Sequence, residues 1–188
     1  MDLVYAYAAA IAEHWPFWLV TVVLIVAAVI DGYELRVPNL ITYPFLIGGL
    51  VYSTYAHGLW GLGWSLAGIA LGMSILMLFY AIGGMGAGDV KLMGGVGAWI
   101  YWTHTWYCII GFAVVGALLA IGMVVVSGKW KHHYNQFWKI ATEIAVIKDP
   151  EKLAAIAAER KPTMMLLPYG IPIAIATICY FLWTGMLV

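Results

Sequence analysis

Charged residues are scarce in this chain: they make up 10% of its 188 residues, against 64% hydrophobic ones. A soluble domain is about a quarter charged, and a fold of this size has too little interior to hide so much apolar surface. The scarcity excludes a water-soluble globular protein and points to an integral membrane protein. Excess charge of either sign is missing too. Nine Lys/Arg against nine Asp/Glu give a net charge of +0, so bulk electrostatics offer no argument for nucleic acid as a partner. Cysteine is nearly absent. Cys108 and Cys179 both lie in apolar stretches with no metal-ligand spacing, which reads as two small core hydrophobes. Internal repeats and low-complexity linkers are lacking as well. The N-terminus has no basic n-region, and Asp2 and Glu13 flank its first apolar patch, so it does not read as a cleaved signal.

What the chain does have is long, continuous apolar runs, with a mean hydropathy of +0.93. Continuous rather than alternating runs predict helices and not strands of a barrel. The expected fold is an all-α integral membrane protein, a single domain over 1–188 with about six transmembrane helices at 17–33, 39–56, 62–82, 88–104, 106–127 and 168–187. Each run is near the ~20 residues that cross the hydrocarbon core. The basic residues then sort to one side. Arg36 falls between the first and second spans, Lys91 at the start of the fourth, and Lys129, Lys131, Lys139, Lys148, Lys152, Arg160 and Lys161 between the fifth and sixth. Positive charge stays cytoplasmic, so both termini are expected outside the cytoplasm.

The segment 128–167 is the one long stretch outside the expected spans. Trp130, Tyr134, Phe137, Trp138, Ala141, Ile144 and Ala145 share one helical face there, which predicts an amphipathic helix on the cytoplasmic leaflet of the bilayer. Asp149-Pro150 reads as an N-cap and first helical residue of a second short helix.

Two aspartates stand out. Asp31 ends the first apolar run and Asp89 begins the fourth, inside the glycine-rich stretch GGMGAGDVKLMGG at 83–95. Charge at membrane depth is costly and marks function by default, and the expected topology brings both acids to the same face. Each has an ordinary structural reading: Asp31 as a partner of Arg36, Asp89 as an N-cap of the fourth helix. Together, two carboxylates in a partly dry site can share one proton, as an aspartic protease requires. A proton-coupled transporter using the same pair as a relay and a non-catalytic assembly scaffold remain open on the residues alone. Gly86 and Gly88 let the backbone come close to a substrate chain.

Gly86-Ala87-Gly88-Asp89 is a G-x-G-D sequence, and Asp31-Gly32-Tyr33-Glu34-Leu35-Arg36-Val37-Pro38-Asn39 follows a D-x(6)-P-N pattern. With Pro168-Tyr169-Gly170 opening the last span, the chain resembles the type IV prepilin peptidases, which are intramembrane aspartic proteases. The short link between the first two spans, about Gly32 to Pro38, contains no cysteine. The chain is therefore similar to the short Tad/Cpa-type branch, without the four-cysteine insert of the bifunctional, methylating members. The resemblance implies a bacterial inner-membrane enzyme that cuts the leader of Flp-type prepilins and pseudopilins after a glycine, at the cytoplasmic face and without N-methylation. It implies Asp31 and Asp89 as the catalytic pair and no metal or organic cofactor. Gly86 and Gly88 are expected to shape the site, and Pro38-Asn39 to cap the second helix. Lys91 is expected to snorkel to headgroups or to hold the fourth helix at its depth. Glu34 ranks third as a catalytic acid.

Overall fold

A computed structural model describes residues 13–81, 83–147, 149–160 and 167–187. The expectation for the first twelve residues lies outside them. The described residues form six α-helices: α1 (Trp15–Glu34), α2 (Asn39–Ala81), α3 (Ala87–Ser127), α4 (Trp130–Val146), α5 (Pro150–Arg160) and α6 (Gly170–Thr184). The first three are long and apolar enough to cross a membrane, and α6 is a shorter apolar helix.

α2 and α3 are each two helical arms joined at one non-helical residue. Gly58 breaks α2, with φ 63° and ψ −147°. Tyr101 breaks α3, with φ 62° and ψ 174°. At Gly58 the chain doubles back, since Ser53 before it and Ser65 after it both donate to the Ala98 carbonyl, at 3.2 and 2.8 Å. The break at Tyr101 leaves that carbonyl at a helix end, where intrahelical donors run out; the two hydroxyls satisfy it in a dry interior.

The break at Gly58 falls within the expected link 57–61, while the break at Tyr101 falls inside an expected span. The expected spans 88–104 and 106–127 place a link at Thr105. Instead 102–105 form the first turn of the second arm, and the Thr105 hydroxyl donates to the Tyr101 carbonyl at 2.6 Å. Residues 59–61 are likewise already helical. A polar side chain in a first turn bonds locally and does not end a helix.

The first arm of α3 is the centre of the bundle, and every residue from Leu92 to Ile100 is buried. Its glycines meet the neighbouring backbone directly. A Cβ on Gly68 would strike the Gly97 carbonyl oxygen, and one on Gly97 would strike that of Gly68. Such close crossings are how helices associate where lipid removes the hydrophobic drive. The second arm of α3 runs antiparallel to α6, with His104 bonded to the Tyr180 hydroxyl at 2.8 Å and Gly111 beside Ala176. α6 in turn runs antiparallel to α1, from Gly170 at Asp31 to Phe181 against Phe17.

α3 stops at Gly128 in the left-handed conformation. α4 follows with Trp130, Tyr134, Phe137 and Trp138 all exposed, the aromatic stripe that its spacing predicts. Asp149 Oδ1 accepts the Glu151 backbone N–H at 3.1 Å, the N-cap expected for α5.

Candidate active site

Both aspartates come to the same end of the bundle. Asp31 lies in the last turn of α1 and is 1% exposed; Asp89 lies in the first turn of α3 and is 5% exposed. Three short segments converge on them: the link 35–38, the glycine-rich turn 83–88, and the start of α6.

The link begins with Leu35, a non-glycine residue in the left-handed region (φ 53°) whose N–H closes α1 on the Asp31 carbonyl at 2.8 Å. A leucine there costs roughly 1–2 kcal/mol, and it turns the chain sharply just past the buried acid. Glu34 and Arg36 point away. They pair with each other at 3.0 Å, with both side chains at least half exposed. Arg36 is therefore not the partner of Asp31, and Glu34 is not its neighbour in the site. Val37 is buried and packs against Gly88, where an added Cβ would lie 2.5 Å from the Val37 carbonyl oxygen.

The glycine-rich turn closes α2 with paired bonds, Gly83 N–H to Tyr80 O and Gly84 N–H to Phe79 O, both 2.9 Å. Gly83 takes φ +74°. This is a Schellman stop, which needs a residue free to be left-handed. Gly86 is the N-cap of α3, in extended conformation. Asp89 is therefore the third residue of the helix and not its N-cap residue. Its Oδ2 reaches back to within 3.0 Å of where a Gly86 Cβ would stand.

The start of α6 touches Asp31 and comes within electrostatic reach of Asp89. The Gly170 N–H donates to Asp31 Oδ2 at 2.7 Å in a buried bond, and Tyr169 lies within electrostatic reach of Asp89. A Cβ at Gly170 would sit 3.0 Å from Asp31 Cβ and Oδ2, so only glycine lets the backbone approach so closely.

Lys91 and Asn39 tie α2 to α3. The Lys91 ammonium donates to Asn39 Oδ1 at 2.8 Å and to the Tyr43 hydroxyl at 3.0 Å. It is held by protein groups, where snorkelling to headgroups was one expectation. The expected capping role of Asn39 is also corrected. The Pro38 carbonyl accepts the Ile41 and Thr42 N–H groups at 3.1 and 3.2 Å, so α2 is started by Pro38, and the asparagine side chain goes to Lys91.

A family model described as "Type IV leader peptidase family" matches residues 18–121, a stretch that contains both aspartates. The chain belongs to the type IV leader peptidase family. Among similar leader peptidases, the "Prepilin leader peptidase/N-methyltransferase" of Aeromonas hydrophila is 31% identical over 125 residues, 63% of this chain and 42% of that protein. The protein of the same description from Aeromonas salmonicida (strain A449) gives the same identity and coverage. The match thus spans less than half the length of these leader peptidases. No solved structure matches.

Proposed function

We propose that this chain is a prepilin leader peptidase using Asp31 and Asp89 as an aspartic dyad. The observation that carries this is the convergence at one end of the bundle: Gly170 at the start of α6 bonds Asp31, and the link that follows Asp31 packs through Val37 against Gly88, the neighbour of Asp89. Two buried acids from separate helices thereby border one small site. In the reaction one carboxylate takes a proton from water as its oxygen attacks the peptide carbonyl, and the protonated partner donates to the carbonyl oxygen. Collapse of the tetrahedral intermediate passes a proton to the leaving amine. The Gly170 N–H fixes the Asp31 carboxylate through Oδ2 and leaves its other oxygen for water. The substrates are Flp-type prepilins and pseudopilins, cut after a glycine where the basic leader meets the apolar helix.

The two broken helices, 43 and 41 residues long, are each twice the ~20 residues of one crossing. With α1 and α6 they support six spans in the bacterial inner membrane, with the dyad at the cytoplasmic face. Reporter fusions after Gly58 and after Thr103 are expected to report export, and one near Lys152 a cytoplasmic location. A cytoplasmic signal at Gly58 would overturn the topology.

The link 35–38 leaves no room between α1 and α2 for a methyltransferase domain. Coexpression with a candidate prepilin tests both halves of the proposal. A leader-sized mobility shift is expected, and mass spectrometry of the product is expected to show an unmethylated N-terminus. An uncut prepilin would refute the peptidase, and an N-methyl group would refute the second half alone. A transporter reading predicts no shift at all.

The tie from Lys91 is expected to position Asp89 through the first turn of α3. Lys91→Met should lower the cleavage rate about tenfold, the effect of losing about 1.4 kcal/mol of positioning, and Lys91→Arg should restore part of it. Rates that match the parent in Lys91→Met would remove Lys91 from the site.

A further inference from the structure

α1 and α2 follow one another through a four-residue link, yet they barely touch; α1 leans on α6 and α2 on α3. The seam between them is an apolar groove of about 710 Å³. Its walls are Trp15 and Leu19 of α1 and the face Tyr43, Ile47, Val51 of α2, and its floor is Trp99. Gly48 keeps that floor open, since a Cβ there would stand 3.3 Å from the Trp99 ring. Near one end Trp15 stands edge-on to Tyr52 and Trp99, with ring centroids 5.0 and 6.0 Å apart. The other end is Tyr43, whose hydroxyl is held by Lys91, two residues from Asp89.

We propose that this groove receives the apolar helix of the substrate chain, laid along α2 from Tyr43 to Val51 and beyond; this rests on the peptidase reading. Three observations favour a peptide helix over an acyl chain. The groove ends at Tyr43, which is bonded to Lys91, two residues along α3 from Asp89. Between Tyr43 and Tyr55 it runs about 18 Å at 1.5 Å per residue, room for three turns of a second helix. Its surface alternates side chains one turn apart, Tyr43, Ile47 and Val51, with a glycine at Gly48, the ridge-and-gap pattern that a helix packs into. Ile47 and Val51 are 55% and 63% exposed, so the face has no occupant from this chain among the described residues. A helix seated there points its cytoplasmic end at Tyr43, and the chain leaving it arrives at Asp89 in the extended form that hydrolysis needs.

Two measurements test this. Ile47→Trp and Val51→Trp fill the groove without touching the acids. For a full-length prepilin in proteoliposomes, KM is expected to rise at least tenfold. A short soluble peptide carrying only the leader and the cut junction is expected to keep its kcat/KM. Equal effects on both substrates, or none on the full-length one, would overturn the groove. The second measurement does not depend on catalysis. Val51→Cys is expected to cross-link to a cysteine in the prepilin helix, and Val114→Cys, 55% exposed on the far arm of α3, is not. Cross-linking at Val114 alone, or at Val51 to a photoreactive lipid alone, would reject the site even in an active enzyme. Cross-linking at Val51 by a chain that cuts nothing would instead keep the groove and remove the peptidase.

Discussion

Asp31→Asn and Asp89→Asn are each expected to abolish prepilin cleavage while leaving a folded, membrane-inserted protein. Asparagine keeps the size of the side chain, and in Asp31→Asn its carbonyl oxygen still accepts the Gly170 N–H that now binds at 2.7 Å. An alanine there would leave that buried donor without a partner, at a cost of about 1–3 kcal/mol, and would mix a folding defect into the result. What asparagine cannot do is exchange a proton between water, carboxyl and peptide. The expected loss is on the order of 10⁴-fold, the upper end of what a positioned acid or base contributes. Because the two acids act as one unit, the double variant should be no slower than either single one. Asp→Glu at either position should fail or nearly so, since displacing a carboxylate by about 1 Å costs roughly 100-fold. Glu34→Gln should retain most activity, as its carboxylate is turned outward onto Arg36 at 3.0 Å. The assay is the leader-sized shift of coexpressed prepilin, with membrane levels of each variant measured beside it. Substantial processing by either Asn variant would remove that residue from the dyad.

Gly88→Ala and Gly170→Ala should follow in size, for a reason that is purely steric. The new methyl at 88 would stand 2.5 Å from the Val37 carbonyl oxygen and 3.1 Å from the Val37 nitrogen. Backbone on both sides leaves no flexible group to yield, so the start of α3 must move away from the link 35–38 and carry Asp89 with it. A shift near 1 Å predicts about a 100-fold loss of rate. At Gly170 the contacts are 3.0 Å to Asp31 Cβ and Oδ2; the carboxylate can turn, and a loss of about tenfold is expected. Alanine favours helix over glycine by about 1 kcal/mol, so neither change should lower expression through local propensity. Gly122→Ala, with nothing within 4 Å of the new methyl, is the control and should be silent. Parental cleavage by Gly88→Ala would show that the contact with Val37 does not position Asp89.

The helices and the two acids were legible in the sequence because both depend on local chemistry. A long apolar run has one stable form in lipid, and a carboxylate at its edge is conspicuous among aliphatic neighbours. The break at Gly58 sits inside an expected loop for the same reason, a glycine being free to take φ 63°. The break at Tyr101 was not legible. A left-handed tyrosine is imposed by packing around it, and no composition marks it. Distance along the chain hid the rest. Gly170 lies 139 residues from Asp31, and Lys91 lies 52 from Asn39; the bonds that join them exist only once the bundle has formed. Pro168-Tyr169-Gly170 was visible as a motif, but nothing local told that its glycine serves the first aspartate.

The reciprocal seat of Gly68 and Gly97 has a mechanical consequence. There α2 and α3 cross backbone against backbone, with no space for a side chain between them, so Asp89 is mounted on a closely packed frame. Asp31 is mounted on α1, which scarcely meets that frame directly and is joined to it by α6, packed along the second arm of α3. The spacing of the two acids is therefore set through α6, the element that joins α1 to the frame.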